Sequence, residues 1–146
     1  MNSSPNASLS PSQKSTASGL LDQTALSELA QRLVEAAKRA GADAADAIAV
    51  RGVSQGVEIR EGKVEESERS EGDDIGLRVF VGKRQAVVSS SDIGGDVAKL
   101  AERAVAMAKV SPDDEYVGLA DPALLARQFS DLDLLDPQMP SVAELE

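Results

Sequence analysis

Apolar residues along this chain change period twice, and that change limits the folds open to it. Between residues 22 and 41 they recur at helical spacing. Leu26, Leu29, Leu33, Ala36, Ala37 and Ala40 form one stripe, and Gln31, Arg32, Glu35, Lys38 and Arg39 fill the wetter side. Such a stripe marks an amphipathic helix laid on an apolar surface. Asp22 has the chemistry of its N-cap, and Gly41 that of the residue just past its end, where a positive φ is needed. The period then falls to two. In 46–51, Ile48 and Val50 share a face, and in 53–60 Val57 and Ile59 do so. Glu61-Gly62 reads as a two-residue hairpin turn into a charged strand over 63–70, which sets Ile59 opposite Val64 and Arg60 opposite Lys63.

Glu71-Gly72-Asp73-Asp74 reads as the next turn, from its composition. A second hairpin joins 75–81 to 84–90 through Gly82-Lys83. Its register puts Leu77 opposite Val88 and Val79 opposite Ala86 on one face, leaving Arg78, Phe80, Gln85 and Val87 on the other. The helical period returns after Asp92-Ile93-Gly94-Gly95. Val97, Leu100, Ala101, Ala104, Val105 and Ala108 line a second helix that Pro112 ends. The expected order is thus α-β-β-β-β-β-α. It predicts an α+β fold of two layers, a largely antiparallel five-stranded sheet with two helices packed on one face.

The flanks differ in kind. Residues 1–20 are rich in Ser, Asn and Pro and lack the apolar side chains that offset ordering entropy, so they read as a disordered tail. Residues 21–110 hold the α+β domain. Residues 111–146 contain Pro112, Pro122, Pro137 and Pro140 and read as a linker with a short helix over 123–128. Leu132, Leu134 and Leu135 suit docking on a neighbour.

Composition narrows the chemistry. Apolar residues make up 42% of the 146, but aromatics only 2%, so small and aliphatic side chains must build the core. The net charge of −10 repels a phosphate backbone and an anionic membrane surface, and no Lys/Arg cluster offsets it. No direct nucleic-acid or membrane binding is expected. Cysteine is absent, which fits a cytoplasmic protein and removes disulfides and thiolate metal sites. The N-terminal residues lack the apolar core of a signal peptide.

Histidine is absent too, which removes Ser/His nucleophiles, histidine zinc motifs and imidazole acid–base catalysis. Gly82-Lys83 is followed by Arg84, and Leu77 stands where a Walker phosphate loop needs its first glycine. Gly94-Gly95 precedes a helix and is better read as loop and helix start than as an anion site. Glu65, Glu66 and Glu68 could offer oxygen ligands to a hard cation, but a solvated strand edge accounts for them better. Asp73-Asp74 reads as turn chemistry. Asp113-Asp114-Glu115 and Asp131-x-Asp133 complete no calcium loop. Ser89-Ser90-Ser91-Asp92 carries hydroxyls without a base. No catalytic, cofactor or metal residue is expected. The candidate site is a partner surface made of Arg78, Phe80, Gln85 and Val87, exposed unless the C-terminal segment folds back over it.

Five segments then carry a resemblance. They are 57–66 (Val-Glu-Ile-Arg-Glu-Gly-Lys-Val-Glu-Glu), 76–86 (Gly-Leu-Arg-Val-Phe-Val-Gly-Lys-Arg-Gln-Ala), 89–92 (Ser-Ser-Ser-Asp), 102–109 (Glu-Arg-Ala-Val-Ala-Met-Ala-Lys) and 116–122 (Tyr-Val-Gly-Leu-Ala-Asp-Pro). Together they resemble the N-terminal domain of the TldD/PmbA family, and its TldE (PmbA) branch more than its TldD branch. The resemblance covers about 21–127. It implies the non-catalytic subunit of a heterodimeric metallopeptidase whose partner is a TldD-like subunit. That complex acts on small or unfolded peptides, including microcin precursors and an antitoxin. The family's zinc histidines belong to a C-terminal domain of the TldD-type chain, and no residue here matches them. The resemblance also implies that this chain is a fragment whose linker leads toward a C-terminal domain absent here. The alternative it carries is a regulatory binding module of the kind described as a modulator of DNA gyrase, acting without proteolysis.

Overall fold

A computed structural model describes residues 23–134 and 140–145. The elements run α1 (Thr24–Arg39), β1 (Ala44–Arg60), β2 (Lys63–Val81), β3 (Arg84–Ser90) and α2 (Val97–Val110), followed by a 3-10 turn (Pro122–Leu124) and α3 (Val142–Leu145). The α+β class holds, but among the described residues the sheet has three antiparallel strands in the order β1-β2-β3, not five, and three α-helices accompany it, not two.

The correction has one physical source. The residues expected to break the chain at 52 and 71–74 instead face one another across a continuous ladder: Arg51 pairs with Asp73, Gly52 with Gly72, Val53 with Glu71. Asp73 makes no turn. Its carboxylate accepts from Arg51 Nε at 2.7 Å and Nη2 at 3.1 Å. Arg51's hydrogen bond, ahead of its charge, holds the Asp73 carboxyl below the usual carboxylate range. Turn propensity is a weak local preference, and a cross-strand ion pair inside a running ladder overrides it. The five expected strands therefore fuse into two long ones and one short one.

The two tight turns stand where the sequence puts them. Glu61 and Gly62 both have positive φ, 51° and 75°, as a type I′ turn requires. Ile59 faces Val64 and Arg60 faces Lys63, with a bulge between Glu58 and Ile59 that leaves Glu65 unpaired. In the second hairpin Leu77 faces Val88 and Val79 faces Ala86.

The first helix ends in a Schellman motif. Gly41 takes φ 102°, its N–H donates to Lys38 O at 3.1 Å, and Ala42 N–H donates to Ala37 O at 3.0 Å. Gln23 precedes α1 without a side-chain cap bond, and Asp22, the expected N-cap, lies outside the described residues, as do residues 1–20 and Leu135. Asp96 caps α2, its Oδ1 accepting from Ala98 N at 3.0 Å and Lys99 N at 3.2 Å. Replacing Asp96 with Ala is expected to cost about 1 kcal/mol, read from the shift of the urea midpoint, whereas Asn in its place retains most of the cap. Ser111, before Pro112, is extended at ψ 153°, which stops the helix.

Odd-numbered positions of β1 and β2 meet the helices. Ala45, Ile75, Leu77 and Val79 pack with Ala86 and Val88 of β3 against Leu29, Leu33, Ala36 and Ala37 of α1 and Ala101, Ala104, Val105 and Ala108 of α2. Small helix faces let both helices lie close to the sheet, as the scarcity of aromatics demands.

Beyond the body, residues 52–72 continue as a two-stranded ribbon with no residue fully buried. Its nine β1 residues reach about 30 Å. One side of it is partly covered: Val53, Gln55 and Val57 are half-buried, and Gln55 Nε2 donates to Pro140 O at 3.0 Å just before α3. The expected 123–128 helix is only the 3-10 turn, capped by Asp121, whose Oδ1 accepts from Ala123 N at 2.8 Å. Among the described residues, no helix is long and apolar enough to cross a membrane.

Candidate partner-binding face

Even-numbered residues of β1 and β2 emerge on the side of the sheet away from the helices. On the body of the domain this face holds Asp46, Ile48 and Val50 from β1, Gly76, Arg78 and Phe80 from β2, and Gln85 and Val87 from β3. The ladder pairs Asp46 with Arg78, Ile48 with Gly76, Arg78 with Val87 and Phe80 with Gln85. All four residues expected to form the face therefore share it.

They do not share one environment. Val87 is 62% exposed, Gln85 is exposed and Arg78 is half-buried, but Phe80 is only 3% exposed. The expectation of an exposed Phe80 is thus corrected. Part of its cover comes from the guanidinium of Arg78, which lies 5.2 Å from the ring centroid in a cation–π arrangement. Asp46 holds that guanidinium in place: Arg78 Nε donates to Asp46 Oδ1 at 2.9 Å, and Nη2 donates to Oδ2. The hydrogen bond to Asp46, more than its charge, raises the Arg78 pKa further above its ordinary value. Both partners remain partly solvated, so the pair fixes geometry more than it adds stability.

Four residues that sequence reasoning left off the face, Asp46, Ile48, Val50 and Gly76, complete it. Ile48 is 62% exposed and Val50 46%. Gly76 leaves room for Ile48, since a Cβ there would sit 3.0 Å from Ile48 Cγ2. Ile48, Gly76, Arg78 and Val87 line an open depression of about 270 Å³. It is shallow and largely apolar, a shape suited to the side chain of another polypeptide rather than to an enclosed small molecule.

The described part of the C-terminal segment takes another course. Asp114 N–H donates to Lys83 O at 2.7 Å, Arg84 Nε to Asp113 Oδ1 at 2.7 Å, and Lys83 Nζ to Glu115 O at 3.4 Å, which ties 113–115 to the end of the β2–β3 hairpin. Leu124, Phe129, Leu132 and Leu134 all remain exposed.

The other sequence candidates resolve into local structure. Gly94 N–H donates to Asp92 Oδ1 at 3.2 Å and Gly95 N–H to the Asp92 carbonyl at 3.3 Å, so both N–H groups that could hold an anion are taken up by Asp92. Ser90 Oγ accepts from Asp92 N–H at 3.1 Å. Glu65 accepts from Arg60 Nη1 at 3.0 Å. Among the described residues, no group of three His, Cys, Asp or Glu side chains is placed to hold a metal ion.

Comparison with known proteins follows the fold. Residues 45–108 match the family described as PmbA/TldA metallopeptidase domain 1. The chain is 33% identical over 128 residues to a metalloprotease PmbA homolog of Haemophilus influenzae, an alignment covering 86% of this chain and 28% of that protein. It shares its fold, at a TM-score of 0.65 and 18% identity, with a Bacteroides thetaiotaomicron protein whose crystal structure bears the name modulator of DNA gyrase. The superposition covers 72% of this chain and 24% of that one. The chain thus spans about a quarter of the length of each.

Proposed function

Because the chain belongs to the TldD/PmbA family, with its match to the family's first domain over 45–108, we propose that it serves as the non-catalytic, partner-docking first domain of a TldE-type subunit in a two-subunit metallopeptidase. The observation that carries this reading is the uncovered sheet face. Ile48, Val50 and Val87 stand exposed around a fixed Asp46–Arg78 pair, an arrangement of apolar surface and positioned charge that fits a protein interface.

The residue chemistry supports the same division of labour. Zinc takes nitrogen and sulfur ligands in most sites, with carboxylates as supplements. This chain has neither histidine nor cysteine, and its carboxylates are not grouped for the task among the described residues. The residues do not fit a zinc site, so no hydrolytic step passes through them. Peptide cleavage falls to the TldD-type partner, and this domain contributes shape and contact area.

The test is co-purification of the full-length protein with its TldD-type subunit. Arg78→Glu and Val87→Glu are each expected to weaken the complex by about tenfold or more with the circular dichroism spectrum unchanged, as interface anchors do. Unchanged assembly removes this face from the interface. Retention of gyrase by the protein with no TldD-type subunit present would favour the regulatory reading. Peptide cleavage by the metal-stripped chain alone would place the chemistry here after all.

A further inference from the structure

The sheet face continues past the body onto the ribbon, and its character changes along the way. Register sets Val50 opposite Asp74, Gly52 opposite Gly72, Ser54 opposite Ser70, Gly56 opposite Glu68 and Glu58 opposite Glu66. Beyond the exposed apolar residues the face therefore holds glycine and serine, and then carboxylates. Glu58 and Glu66 face each other directly, an arrangement that destabilises an isolated ladder. Neither they nor Glu68 make an ion pair with any described residue. The cations at the tip, Arg60 and Lys63, lie beyond them, and Arg60 is engaged by Glu65 at 3.0 Å.

The reverse side of the ribbon is built differently. There Arg51 binds Asp73, Arg69 binds Glu71 and donates to Gln55 at 2.9 Å, and the segment before α3 lies against Gln55. One side has its charges paired and is partly covered by the chain itself. The other is left charged and open. A two-stranded ribbon without a core behind it is marginal on its own and gains order from a surface laid against it.

We propose that this second side is a docking strip for a partner polypeptide whose surface is apolar where it meets Ile48, Val50 and Val87 and carries lysine or arginine where it meets Glu58, Glu66 and Glu68. The small residues between the two zones let that partner approach the backbone closely. A cation seated between Glu58 and Glu66 turns their repulsion into attraction. A second copy of this chain, laid along the strip in either direction, would set these carboxylates against its own carboxylates or its apolar residues, so charge selects a different molecule. The proposal rests on the partner-docking reading above and extends the interface from the body onto the arm.

The experiment measures binding of the full chain to a purified TldD-type subunit from the same organism, at low and high salt. The paired substitution Glu58→Gln with Glu66→Gln is expected to weaken binding about tenfold near 50 mM salt, with the gap closing at high salt as screening removes the attraction. The melting temperature of the chain alone should hold or rise, because the substitution relieves a like-charge pair, so weaker binding cannot be ascribed to misfolding. On complex formation, amides of 52–58 and 66–72 should exchange more slowly. Wild-type affinity in the paired variant, with no added amide protection on the arm, would overturn the strip while leaving the body face in place. Failure of the wild-type chain to bind the subunit at all would remove both. A dimer of the chain alone that the paired variant abolishes would show that the occupant is a second copy, against the proposal.

Discussion

Leu77→Ala is expected to cost about 3 kcal/mol, within the 2–5 kcal/mol typical of a buried leucine, and to lower the midpoint of thermal unfolding by roughly 10 °C. Leu77 lies on the central strand, wholly excluded from solvent, between Ala47 of β1 and Val88 of β3 and beneath both helices. Leu33, Leu77 and Val79 are the largest fully buried side chains. No ring stands behind them in this core, since Tyr116 and Phe129 are 89% and 88% exposed and Phe80 is buried apart from the main cluster. Alanines on both helices cannot rotate to fill the space that a lost leucine leaves, so the cavity persists and its cost adds to the lost transfer energy. Val87→Ala on the opposite face is the matched control, expected within about 0.5 kcal/mol of wild type because that side chain is mostly in water. Urea unfolding of the two variants side by side, with equal slopes, checks the difference. Similar losses for both would mean that the helices do not cover the side of the sheet assigned to the core.

How much of the fold is legible in the sequence depends on what fixes each feature. The hairpins were legible because their turns need a particular backbone. Gly62 and Gly82 take positive φ, and two-residue loops lock the register, so Ile59–Val64 and Leu77–Val88 followed directly. The β1–β2 ladder was not legible. Its middle consists of Gly52, Gly72, Asp73 and Asp74, residues that in isolation favour turns. What keeps them extended is across the ladder, in the Arg51–Asp73 pair and in two glycines facing each other, which no local window contains. The same loss hid the β1 part of the candidate site. Arg78 and Val87 were placed on a common face by their own hairpin. Asp46, Ile48 and Val50 of β1 join them only through the long pairing that the supposed turn had cut. Phe80 was misjudged for a related reason: alternation assigns a side to a residue but not its cover, and that cover includes an arginine two residues away on the same strand.

Phe80→Ala is the second substitution expected to have a large effect, about 3 kcal/mol. The ring is as well buried as Ile75, yet it lies across the sheet from the main core, so a loss of this size shows that the domain has a second, smaller centre of stability on its partner-facing side. Two further variants separate the ring's contributions. Phe80→Leu keeps most of the volume and should cost less than about 1.5 kcal/mol. Arg78→Met keeps a stem over the ring but discards the charge, and should cost about 1 kcal/mol or less, since a partly exposed cation–π contact is worth no more than that. If Phe80→Ala instead unfolds within about 0.5 kcal/mol of wild type, the ring is not packed in solution. The exposed face then gains an aromatic side chain beside Val87, and its apolar area grows. The two results lead to different interfaces: a packed Phe80 acts as a rigid floor that holds Arg78 toward a partner, and a loose one acts as an anchor that the partner must bury.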